Sequence, residues 1–467
     1  MMEASTISFP GNPHLWSRAL RQIPANAETR PISHWRVILC YLLLTLVGFN
    51  LRSVILGVPP VLPLVQHDLA LSYFEVGLLT ALPPLTLGAS AWSLGLVIER
   101  LGEWTCVALG LLLLGLGAIL RACWPSSVTL FGFTLLLCLG IVLAQTAVPS
   151  LARHWFPHQV GLVTALFSDG LIIGEALAAG LTVPLMQRFF GPGNWRASFI
   201  FWGVPALVLL LGWLALAPST PLNWRRKPDQ APQPRAVRPS GQERRTAAEK
   251  KEAGRRVNAW HLGILLGGGS LIYFGMNAWI ASYNAALQRA ALTPLALGVL
   301  NTAQLPSSLL VTLFAQRLAG RRWPFIGAGL VCALSLIAWL ISPPELEAVW
   351  VALIGAGSAL VFTLGVALPA LLAAPGEVAR LTGMTLSLTY AVAFVGPLIG
   401  GALWDLFKLP ALAFLPVLIA CLLLIVLGAL LPERPPRAEA SIVTASSRID
   451  LAGHSADQEQ SAPPAAS

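Results

Sequence analysis

Residues 47–63 read VGFNLRSVILGVPPVLP. They close an apolar run that begins near Arg36 and is long enough to cross a bilayer. Arg52 sits inside that run with no acidic residue near it in sequence. A guanidinium at membrane depth costs at least ~2.5 kcal/mol, so it must face a protein interior or a wet cavity. Just beyond it, Gly57, Pro59 and Pro60 weaken the helix. A cation beside a helix break marks a candidate solute path.

The rest of the chain has the same character. Of 467 residues, 56% are hydrophobic and only 11% are charged; soluble proteins carry about 25% charge, so the deficit predicts an integral membrane protein. Spanning segments fall at about 36–62, 72–98, 104–122, 127–152, 159–187, 195–217, 258–286, 294–318, 323–342, 347–373, 378–404 and 409–431. The expected organisation is a polar N-terminal segment (1–35), a six-span bundle (36–217), a basic linker (218–257), a second six-span bundle (258–431) and a polar tail (432–467).

The thirty lysines and arginines set the orientation. Twenty-four fall on the side that holds both termini and five on the other (Arg121, Arg188, Arg196, Arg289 and Lys408), with Arg52 left over. That bias predicts both termini in the cytoplasm. It also reads the +9 net charge as a topology signal and not as a nucleic-acid footprint. The halves echo each other. Gly161 and Gly383 are 222 residues apart, as are Gly174 and Gly396, which predicts a parallel repeat and two pseudo-symmetric bundles. The fold class is therefore all-α and membrane-embedded, with twelve transmembrane helices.

Several chemistries find no support. The six cysteines form no close pair and read as core-filling residues. His154 and His158 lack a carboxylate or thiolate companion, so no metal site is expected. No Walker sequence is present, and Gly267-Gly-Gly269 lies within an apolar helix as a packing feature. No cofactor is called for. A membrane-embedded enzyme would need a clustered nucleophile–base or metal set at one depth, and none is legible.

With twelve spans, a long central linker and the loop Gly95-Leu-Val-Ile-Glu-Arg-Leu-Gly102, the chain resembles the major facilitator superfamily. Gly95, Arg100 and Gly102 match that family's loop between the second and third spans. Glu99 stands where Asp is usual and Glu103 where a basic residue is usual. With Arg317 in the corresponding loop of the second half, these residues are the candidate gating loop. Within the family the chain is similar to the cyanate and 2-nitroimidazole transporters through Asn50-Leu-Arg52 with its Pro-Pro-Val-Leu-Pro exit. Gly77-Leu-Leu-Thr-Ala-Leu-Pro83, Ser270-Leu-Ile-Tyr-Phe-Gly-Met-Asn-Ala-Trp279 and Tyr390 with Gly396-Pro-Leu-Ile-Gly400 add to that likeness. The resemblance implies secondary transport of a small solute, a cyanate-like anion, a nitroimidazole or a small organic acid, across a bacterial inner membrane. A drug-efflux carrier of the same fold is the alternative.

The resemblance also makes the first and fifth spans neighbours. The fifth span holds Asp169 and Glu175, which point ~120° apart on a helix. Both spans run outward, with Arg52 ~4.5 Å above mid-depth, Glu175 ~3 Å above and Asp169 ~6 Å below. Arg52 and Glu175 are thus the expected pair. Arg52 holds an anionic solute or is neutralised by this acid, and the two readings coexist. Glu175 and Asp169 are candidate proton carriers, because a carboxylate in a cavity can gain and lose a proton as its surroundings change. Asn50, Gln145, Tyr273, Asn277, Gln304 and Tyr390 complete the candidate solute wall, with Asn277 a possible symmetry mate of Arg52. Trp279 and Tyr283 fit either that wall or an outer interfacial belt.

Overall fold

The computed structural model describes residues 34–90, 97–98, 100–124, 126–156, 159–191, 193–216, 259–318, 321–372 and 378–431. The N-terminal segment before His34, the linker 218–257, the tail 432–467, and Gly95, Glu99 and His158 lie outside them. Among the described residues all regular structure is helical. Eleven stretches of the described residues are long and apolar enough to cross a membrane. The helix Tyr73–Ser90, which carries Glu75, Pro83 and Pro84, fills the place of the second span.

Proline chemistry sets two breaks. The first span runs as His34–Leu56, turns through a 3-10 segment at Pro59–Val61 and resumes as Leu62–Asp68. Pro59 and Pro60 have no N–H to donate, so the ladder shortens and Val58 N–H bonds the Ile55 carbonyl at 3.1 Å instead of that of Val54. The eighth span is broken at Ala303 between Thr293–Thr302 and Gln304–Leu318. There Pro306 removes the N–H that the Thr302 carbonyl would accept.

Each half is seamed by small residues. In the first half, a Cβ on Gly170 or Gly174 of the fifth span (Val160–Phe189) would overlap the carbonyl of Thr45 or Phe49 in the first span. This four-residue glycine spacing is how helices approach closely in lipid, where packing rather than water drives association. The second half repeats the contact between its seventh span (Ala259–Ala286) and eleventh span (Val378–Phe407). There a Cβ on Gly267 would meet Val392 at 2.6 Å, and one on Gly396 would meet Leu271 at 2.5 Å. Every partner in these pairs is displaced by 222 residues from its counterpart: Thr45 to Gly267, Phe49 to Leu271, Gly170 to Val392, Gly174 to Gly396. The repeat is therefore in strict register, and it corrects one expectation. The symmetry mate of Arg52 is Phe274, not Asn277.

The halves meet at the end of the bundle opposite the termini. The Asp405 carboxylate at the end of the eleventh span accepts the backbone N–H of Tyr73 (3.2 Å) and of Phe74 (2.7 Å), where the second span begins. The Tyr73 ring stacks on Trp404 with centroids 4.0 Å apart. A Cβ on Gly401 would overlap the Tyr73 carbonyl, and one on Gly180 of the fifth span would sit 3.2 Å from Gly298 of the eighth. Toward the other end, Gly161 and Gly383 have nothing within 4 Å of a built Cβ. The described structure is thus sealed at the end opposite the termini.

Candidate functional site

At mid-depth the first and fifth spans bring Arg52 and Glu175 together, Nη1 to Oε1 at 3.2 Å, with side chains only 12% and 7% exposed. The depth and angle arithmetic on the two acids anticipates this pair. Asp169 is exposed, one and two-thirds turns toward the termini end, and takes no part in it.

A relay of neutral groups continues into the second half. Gln304 Nε2 donates to the other carboxylate oxygen of Glu175 at 3.2 Å and lies 3.4 Å from Asn301 Oδ1. Tyr273 Oη donates to the same Asn301 oxygen at 2.8 Å. Asn301 Nδ2 donates to Asn277 Oδ1 at 3.0 Å and to its own helix at Leu297. Asn277 Nδ2 in turn donates to the Tyr273 carbonyl at 3.0 Å. The relay thus runs from the first and fifth spans of one half to the eighth and seventh of the other. Hydrogen bonds to a charged group are worth roughly 1.5–3 kcal/mol, so this carboxylate ties the halves at mid-depth.

Sequence reasoning missed Asn301. Its cue is modest: it precedes Gln304 by three residues, which places both on one helix face. Tyr390 packs beside Leu87, Val142 and Leu143 and stands within electrostatic reach of Arg52 and Glu175. Asn50 is buried two positions from Arg52, on a different face, and bonds the Leu46 carbonyl of its own helix. Gln145 Oε1, Asn50 Oδ1 and Arg52 Nε are buried and accept or donate no hydrogen bond within the protein.

Burial decides one open alternative and corrects one expectation. Trp279 is fully buried, its ring 5.7 Å from Trp404 and 6.5 Å from Tyr73, and Tyr283 packs between Trp339 and Phe414. Neither forms an interfacial belt. Arg121, counted on the opposite face, is only 2% exposed and lies inside the first half, so the outer count falls from five to four. In the gating loop, Arg100 is exposed and Gly102 adopts φ +80°, a left-handed conformation that favours glycine. Glu103 accepts the Ser150 hydroxyl at 2.8 Å and meets His154 Nδ1 at 3.2 Å. The acid at this position therefore fastens the third span to the fourth. The Arg317 side chain lies outside the described residues.

Comparison with known proteins settles the family. Residues 37–345 and 291–456 match the Major Facilitator Superfamily. The chain belongs to that superfamily. Among curated relatives, this superfamily member is 34% identical over 172 residues to the cyanate transport protein CynX of Escherichia coli (strain K12), covering 37% of this chain and 44% of that one. It is 27% identical over 367 residues to the 2-nitroimidazole transporter of the same organism, covering 77% of this chain and 86% of the relative. Among solved structures, a D-xylose-proton symporter superposes with TM-score 0.67 over 86% of this chain and 99% of its own, at 12% identity, a likeness of fold. As a superfamily member the protein is a multi-pass membrane transporter that moves a small solute by secondary transport, and not an enzyme.

Proposed function

We propose that the protein carries a small anionic or strongly polar solute, of the cyanate, nitroimidazole or small organic acid class, by alternating access and with a proton as coupling ion. The observation that carries this reading is the Arg52–Glu175 pair at mid-depth, bonded to Gln304 of the opposite half. A buried ion pair is a poor source of stability, because desolvation offsets most of its attraction. Its better use is as a switch. A proton on Glu175 releases Arg52, and an anion takes the place of the carboxylate. Gln304, with Asn301 and Tyr273 behind it in the relay, then offers a neutral donor from the second half, so that a bound solute touches both bundles. Asp169, exposed below the pair, is the proposed relay between the pair and the solvent at the termini end. The names of the two curated relatives support the solute classes.

The bacterial inner membrane is the proposed location. Cytoplasmic termini are supported by the excess of lysine and arginine on the termini side. The structure is then sealed toward the outside. The two six-helix bundles, 36–217 and 258–431, are the proposed moving bodies, and 218–257 the link between them.

Uptake into proteoliposomes across a panel of small anions and neutral imidazoles tests this reading. Arg52→Ala is expected to lower anion transport about a hundredfold, near the ~2.7 kcal/mol at stake in one charge-assisted contact, while neutral imidazoles lose much less. Equal transport by mutant and wild type removes Arg52 from the mechanism.

A further inference from the structure

Above the Arg52–Glu175 pair lies a second buried cation that the transport cycle just described does not use. Arg121 ends the third span (Glu103–Cys123) and is 2% exposed. No ion pair among the described residues includes it. One contact has a local explanation. The break at Pro59 and Pro60 frees the Val54 carbonyl from its helix, and Arg121 Nη2 donates to it at 3.2 Å. The flat face of the guanidinium lies 3.9 Å from the centre of the Phe199 ring. A carbonyl dipole and a ring face leave a full positive charge without a counter-charge, in surroundings where ions are strongly disfavoured. Its Nε donates to nothing in the protein.

That guanidinium lines a space of ≈ 30 Å³ between the halves. Thr134 lines it too, and its hydroxyl is buried with no hydrogen-bond partner in the protein. Ile55, Pro59, Leu79 and Pro83 supply apolar wall from the first half, and Phe274 and Ala278 close it from the second. Thr80 and Asn277 also face this space; the Thr80 hydroxyl donates to its own helix, and one of the two Asn277 amide hydrogens goes to the Tyr273 carbonyl. The lining groups without a partner among the described residues are thus a guanidinium N–H and a hydroxyl, with the second Asn277 N–H beside them. A space of a few tens of Å³ admits one or two waters, or a monatomic or short linear ion of similar size, and excludes a sugar or an aromatic ring.

We propose that this cavity is a binding site for a small monovalent anion, a halide or linear pseudohalide, held by Arg121 and Thr134 and separate from the Arg52–Glu175 site. Because the second half forms one wall, the site is complete only while the bundles are closed at the end opposite the termini. Occupancy therefore stabilises the closed state. The inference does not depend on the identity of the transported solute.

Thermal unfolding of the full chain in detergent tests it, with sodium bromide or sodium chloride replacing sodium gluconate at constant ionic strength. The wild type is expected to gain several degrees in a saturable way, and Arg52→Ala is expected to keep that gain. Arg121→Gln is expected to weaken the halide response at least about tenfold. Should Arg121→Gln not fold, Thr134→Val carries the test, with a loss of about tenfold in halide affinity and an unchanged melting temperature in gluconate. A wild type with no saturable halide effect overturns the proposal. So does a halide response kept in full by both cavity variants, or one abolished by Arg52→Ala instead.

Discussion

Glu175→Gln is expected to bind an anionic solute about tenfold more tightly than wild type and to transport it about a hundredfold more slowly, shifts of ~1.4 and ~2.7 kcal/mol. In the proposed cycle the carboxylate and the solute compete for one guanidinium, 3.2 Å from Glu175 Oε1. An amide removes the competitor but leaves the shape and the bond with Gln304. The solute then meets an unopposed cation, and nothing returns to displace it for release. Without an anion the variant should also be less stable, because removing one partner of a buried pair leaves the other uncompensated, a loss of about 3 kcal/mol. Added anion should restore that stability by mass action. Binding measured on purified protein decides the matter. Weaker anion binding in Glu175→Gln would show that the carboxylate holds the solute rather than competing with it.

Gly401→Val is expected to abolish transport while leaving each bundle folded. The position lies on the seam between the halves, where any Cβ overlaps the Tyr73 carbonyl and falls 3.0 Å from Phe74 Cα. Backbone on both sides cannot yield as a flexible side chain would, so the second and eleventh spans must separate. Separation also breaks the two N–H bonds to Asp405, each worth roughly 1.5–3 kcal/mol as a bond to a charged acceptor. The closed face becomes inaccessible, alternation stops and turnover falls at least about a hundredfold. Thr80 lines the sealed cavity and is the reporter. In a Cys123→Ser background, Thr80→Cys should react slowly with a membrane-impermeant maleimide added from outside, and rapidly once Gly401→Val is present. Slow labelling and normal transport in the Val variant would mean that this seam is not the closure.

Much of this arrangement is legible in the sequence, and the exceptions have physical causes. Arg52 is legible because one charge in a long apolar run has few places to go. Glu175 follows because helix geometry separates it from Asp169 in both angle and depth. Asn301 is not legible, since a neutral amide in an apolar helix carries no sign to be matched. Arg121 is misplaced for a different reason. It lies two residues from the end of its helix, where a charge ordinarily reaches water, and its burial depends on a carbonyl freed in another span by Pro59 and Pro60. The repeat shows the same limit. Two glycine pairs suggest the 222-residue offset, but the contact register is needed to assign Phe274 and not Asn277 to the place of Arg52.

That asymmetry has an electrical consequence. Both members of the mid-depth ion pair belong to the first half, while the second half presents amides and a phenol. The empty site carries a guanidinium and a carboxylate. In the proposed cycle the loaded site carries a guanidinium, an anion and a protonated acid. Each has zero net charge, so neither the loaded nor the empty transition moves charge through the field, and the ~2.3 kcal/mol that 100 mV exerts on one elementary charge drops out of both steps. Accumulation of an anion should follow the pH gradient alone, unchanged when a potassium gradient and valinomycin clamp the membrane at opposite potentials. A strong response to the clamped potential would show that solute and proton do not travel as a neutral pair.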